Sequence, residues 1–146
     1  MDWKIFAVDK LKQYEAKRQS LKSIPLAIAE LESTMAGIRS AGADRIVIKD
    51  SGGNARENMM LNYIVKKEEL QRNLEQARLW VETVTAALNA LSPEERKILD
   101  RMYIVSEKKA AYSLADELYV DVKTVYSKKD TALWKFTIAL YGVAES

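Results

Sequence analysis

Apolar residues recur three and four positions apart along most of this chain, and that spacing constrains its fold more than any other feature. Side chains so spaced share one face of an α-helix, whereas a half-buried strand alternates sides at every residue. The clearest interruption is AGADRIVIKDSGG at residues 41–53, where glycines and polar groups replace the stripe. The spacing predicts an all-α protein, with an N-terminal helical hairpin or coiled coil over residues 1–90 and a second helical domain over 91–146. With 146 residues, 48% of them hydrophobic, the chain can bury a sizeable core in one domain or two small ones.

Trp3, Phe6, Ala7, Leu11, Tyr14 and Leu21 place a first helix over about 2–23. Pro25 is expected to break the pattern or to open a new helix in its first turn, and Leu26, Ile28, Ala29, Leu31, Met35 and Ile38 carry that helix over 25–40. The linker 41–53 contains a brief extended segment at Arg45–Lys49. Asn54, with Glu57 three residues on, forms the N-cap and capping-box start of the longest helix, 54–91. Its stripe is Met60, Ile64, Leu70, Leu74, Ala77, Val81, Val84 and Leu88, interrupted by Lys67 and broadened by Met59, Leu61, Leu79 and Trp80. A stripe that broad covers more than one neighbour, in the same chain or in a second copy. Ordinary core is the main reading, and a homodimer through the N-terminal helices is the other.

Ser92, Pro93 and Glu95 spell an N-cap, a first-turn proline and the glutamate of a capping box, so a helix starts there with Ile98, Leu99, Met102 and Tyr103 toward the core. Ala111, Leu114, Ala115 and Leu118 form the stripe of a short helix that Tyr119 and Val120 interrupt. Asp121 then caps a longer one, striped by Val122, Val125, Ala132, Leu133, Phe136 and Leu140 and ended by Gly142. With Val120 plugging the turn and small Ala115 at the crossing, the pair has the spacing of a helix-turn-helix, which turns the outer face of its second helix away from the body. That face carries Lys123, Thr124, Tyr126, Ser127 and Lys129, donors and a ring suited to a major groove. Residues 122–135 hold Lys123, Lys128, Lys129 and Lys135 against Asp130, a local charge of +3, although the whole chain is only +2. Residues 91–121 are acidic on balance and suit a protein partner better than DNA.

From Leu91 onward, LSPEERKILDRMY followed by SLADELYVDVKTVYSKKDTALWKF resembles region 4 of the sigma-70 family and, more closely, the ArpU/RinA-like phage transcriptional regulators. The resemblance covers the last third of the chain well and the rest in general layout. It implies that Asp121 holds the family's capping position, that Lys123, Tyr126 and Ser127 meet bases or phosphates, and that Val125 is buried between them. It also implies a sequence-specific DNA-binding regulator of phage or prophage late genes, in the cytoplasm of a bacterial host. Groove contacts are expected from Lys123, Thr124, Tyr126 and Ser127, and phosphate contacts from Lys128, Lys129 and Lys135 with Lys108 and Lys109. Double-stranded DNA is the expected partner, with RNA polymerase as a second. Two alternatives stay open: a small-terminase-like DNA-packaging protein, and a protein-interaction module that binds RNA polymerase through the acidic stretch.

The absence of Cys and His removes thiolate nucleophiles, disulfides, the usual zinc sites and histidine acid–base chemistry. Glu68–Glu69 and Glu94–Glu95 are adjacent pairs, about 100° apart around a helix, so they do not face one substrate. The SGGN segment before a helix lacks the GxxxxGK[ST] and GxGxxG spacings of phosphate loops. No enzyme, cofactor or metal is expected. No run approaches about 18 consecutive apolar residues, and MDWKIFAVDKLKQ lacks a basic head before an apolar core, so the expectation is a soluble, cytoplasmic protein without a membrane partner.

Overall fold

A computed structural model describes residues 2–44 and 51–145, with side chains over 2–40 and 55–145. The protein is all-α: α1 is Trp3–Asp44, α2 Ser51–Asn89, α3 Pro93–Leu99, α4 Ala110–Leu118 and α5 Val122–Tyr141. Among the described residues there is no strand, only an isolated bridge between Asp2 and Glu145. No helix among them is long and apolar enough to cross a membrane.

Two expectations for the N-terminal half are corrected. The helices expected at 2–23 and 25–40 are one helix, with Pro25 inside it. Proline removes a donor and crowds the carbonyl four residues back. Here Pro25 lies on the exposed side, where water can take the spare carbonyl of the preceding turn, and the inward stripe of Leu21, Ile24, Ile28, Leu31 and Met35 runs past it unbroken. The linker is also shorter than 41–53, since α1 continues to Asp44 and α2 begins at Ser51, which puts Asn54 inside the helix rather than at its cap. The extended segment expected at 45–49 lies outside the described residues.

The chain forms two compact units, one joining α1 up to Arg18 with the chain from Leu79 onward, the other Gln19–Arg78. A boundary at residue 90 does not coincide with that division. In the second unit Met35 and Ala77 are buried, while Leu21, Leu31, Ile64, Leu70 and Leu74 are half-buried and Leu26 and Ala29 face out. Lys67, which breaks the apolar stripe, pairs with Glu32 across the hairpin at 3.1 Å. In the first unit Ala7, Leu11 and Tyr14 of α1 and Val81, Val84 and Leu88 of α2 are buried, and the Tyr14 hydroxyl lies 2.6 Å from Thr85 Oγ1. The start of α1 is fastened by its own backbone: Trp3 N–H donates to Ala144 O at 3.0 Å, and the Trp3 ring lies 5.0 Å from that of Tyr141.

The remaining helices pack as a small cluster in the same unit. The capping box at α3 is complete, with Glu95 N–H donating to Ser92 Oγ at 3.2 Å and Ser92 N–H to Glu95 Oε1 at 3.0 Å. After Leu99 the helix widens into a π-turn over Asp100–Ile104, where Val105 N–H reaches back to Asp100 O at 2.8 Å. Ile98, Ala111, Leu114, Ala115 and Val125 form a buried cluster, with Met102, Leu118, Val120 and Val122 packed against it. These are the residues whose spacing set the expected stripes, and Val120 fills the α4–α5 turn.

Candidate nucleic-acid interface

The start of α5 is set by two devices. Tyr119 adopts φ +57° and closes α4, its N–H and that of Val120 both donating to Ala115 O. Asp121 is extended and accepts from Thr124 N–H at 2.7 Å, which satisfies one of the free donors of the first turn. Thr124 thereby holds the cap and is half-buried, so it is the least available of the residues expected in a groove.

Helical arithmetic at 100° per residue places Lys123, Tyr126, Ser127, Asp130 and Trp134 within one sector, and all five are exposed. Tyr126 is 47% and Trp134 49% accessible. Trp134 was not among the residues the sequence singled out, although its spacing of seven from Ser127 and eleven from Lys123 puts it on their row. Lys108 and Lys109 are exposed ahead of α4, Lys109 with φ +55°.

The other three lysines do not point the same way. Lys128 lies 2.8 Å from Glu94 and Lys135 2.8 Å from Glu95, so both reach sideways to the first turn of α3. Together with Ser92, Ser127 and Thr131 they line a polar cleft between α3 and α5. Lys129 is 19% accessible and pairs with Asp130 at 2.8 Å. Burial pulls its ammonium down, but Asp130 and Tyr103 outweigh that and hold it above the ordinary lysine value. Among the described residues, Lys123 is the α5 lysine without an ion pair. The basic patch expected from composition is therefore largely neutralised within the protein, and the α3 carboxylates that do this were the signal sequence reasoning missed.

The acidic stretch is paired as well. Arg101 reaches Glu107 at 2.5 Å and Glu117 at 2.7 Å, and Lys97 reaches Glu117 at 3.2 Å. The Arg101 guanidinium holds Glu107 below the ordinary 4.5, and Arg101 with Lys97 does the same for Glu117. Hydrogen bonds from Thr124 hold Asp121 below the ordinary 3.8. A carboxyl with a depressed folded-state pKa stabilises the fold fully above its unfolded value and loses that contribution as the pH falls through the folded one. Thermal unfolding followed by circular dichroism is thus expected to give a melting temperature that drops below about pH 4.5. Glu117→Gln should lower it at pH 7 and flatten the acid limb; an unchanged acid limb would show that these pairs contribute nothing.

The chain matches no protein-family model, and neither a curated protein nor a solved structure matches it. Among the described residues no group of carboxylates could hold a metal ion.

Proposed function

We propose that this protein is a sequence-specific double-stranded-DNA-binding transcription regulator, related to the ArpU/RinA-like phage regulators and acting on phage or prophage genes in the bacterial cytoplasm. The observation that supports it most is the exposed row Lys123, Tyr126, Ser127 and Trp134 on a helix capped by Asp121 and joined to α4 by three residues. In this reading α4 and α5 act as a helix-turn-helix. Lysine supplies charge for phosphates, the hydroxyls and rings meet base edges and sugars, and Lys108 and Lys109 add phosphate contacts beside them. The internal pairing of Glu107 and Glu117 weakens the acidic stretch as a surface for RNA polymerase and moves the weight to DNA. The half-buried seam of Gln19–Arg78 supports a second copy, which would let two modules read two half-sites.

The experiment is selection of bound fragments from a randomised duplex pool, sequenced after washing at about 150 mM salt, where sequence-independent phosphate binding is already weakened. An enriched motif supports the reading, and a palindrome within it supports the dimer. No enrichment sinks it in favour of packaging or protein binding.

The α3–α5 ion pairs give a second expectation. Lys128 and Lys135 must exchange carboxylates for phosphates, so Glu94→Gln with Glu95→Gln should tighten binding of any duplex by about threefold at low salt. Glutamine retains the capping-box bond to Ser92, so α3 stays capped. Equal affinities in an anisotropy titration would show that these lysines take no part.

A further inference from the structure

Tyr119 combines two properties that the fold does not reconcile. Its backbone is left-handed, φ +57°, and its side chain is 94% accessible. The conformation is dictated: closing α4 on Ala115 O and turning Val120 into the core requires φ > 0 at this position. Glycine adopts that conformation at no steric cost, and asparagine adopts it more readily than other residues, whereas a bulky aromatic residue there is strained. Nothing in the fold calls for the ring, and no aromatic or cation–π contact involves it among the described residues. The other left-handed residues differ: Ser106 donates its hydroxyl to Tyr103 O at 3.4 Å, and Lys109 is a flexible cation.

A ring held almost wholly in solvent at a position that disfavours it, with no ring contact or hydrogen bond of its side chain among the described residues, is available to a partner outside the chain. Tyr119 lies two residues before the cap of α5 and four before Lys123, at the end of the helix that the proposed function directs at DNA. We infer that Tyr119 is a DNA-contacting residue, its ring packing on a deoxyribose and its hydroxyl donating to a backbone phosphate at the groove edge. This rests on the DNA-binding reading. Tyrosine is among the side chains that bond phosphates, and such contacts fix register without reading sequence. The residue therefore acts on every duplex alike.

The test measures thermal stability and affinity together, using a mixed-sequence duplex of about 30 base pairs at about 50 mM salt, where phosphate contacts dominate. Tyr119→Gly is expected to raise the melting temperature by about 3 °C and to weaken binding about tenfold. Tyr119→Asn, which keeps the left-handed turn without glycine's freedom, should weaken binding as much, and Tyr119→Phe about threefold. A Tyr119→Gly protein that binds within twofold of the parent while Lys123→Glu binds poorly overturns the inference and leaves the DNA reading standing. So does a Tyr119→Asn protein that binds like the parent, because the glycine loss would then come from a loosened turn. A lower melting temperature in Tyr119→Gly overturns it by making the ring structural, and a parent that binds no duplex overturns both readings.

Discussion

Truncating Phe136 to alanine is expected to destabilise the protein by about 4 kcal/mol, the largest single loss expected from any one side chain of α5. Phe136 is fully buried. It sits eleven residues beyond Val125 and four beyond Ala132, three turns and one turn along the same buried face of α5. The loss has two parts, the transfer of a phenyl group back to water and a cavity that helices fixed by short loops close only partly. Phe136→Leu keeps most of the volume and should cost about 1 kcal/mol. Urea unfolding separates these cases from a denatured-state effect, because a change in midpoint at constant slope reports lost native stability. A loss below about 1 kcal/mol for Phe136→Ala would mean that α5 is not held through this face.

The same helical arithmetic shows how much of the site was legible. The α4 and α5 stripes, the Asp121 cap, the capping box at Ser92 and the end at Gly142 follow from local chemistry, which tertiary packing then reinforces. Pro25 lies inside a helix because the apolar stripe continues at unbroken spacing on its far side, and the packing of that stripe outweighs the local penalty of an interior proline. Within the site, a count of lysines could not say where each one points. Lys129 lies about 40° from Val125, so its stem runs along the core edge and its ammonium finds Asp130 and Tyr103. Lys128 and Lys135, seven apart, share a row, and that much was in the sequence. That the row meets Glu94 and Glu95 was not, because it depends on how α3 crosses α5, a contact between residues more than thirty apart in the chain. Trp134 is legible from spacing alone, because it lies seven residues beyond Ser127 and eleven beyond Lys123 on the same exposed row.

On the proposed DNA-binding reading, this sorting of lysines leads to an unequal effect of charge on affinity. Reversing Lys123 should weaken binding to a mixed-sequence duplex by about 10- to 100-fold at low salt and flatten the salt slope by at least about one. Lys123 is exposed in the first turn of α5 and carries no ion pair among the described residues, so in the free protein its charge is fully available to phosphates. Reversal both removes a cation that would release a counterion and adds a carboxylate that repels phosphates. Lys128→Met should cost only about threefold, because what that lysine gains from a phosphate is offset by the Glu94 contact it gives up. Stability does not confound the comparison, since neither position is buried. Titrations of Lys128→Met and of the charge-matched Lys123→Met at several salt concentrations distinguish a phosphate contact from general attraction: general attraction would weaken both alike, whereas the geometry requires Lys123 to dominate. Equal losses, or a Lys123→Glu protein that keeps both its affinity and its slope, would remove the first turn of α5 from the DNA interface.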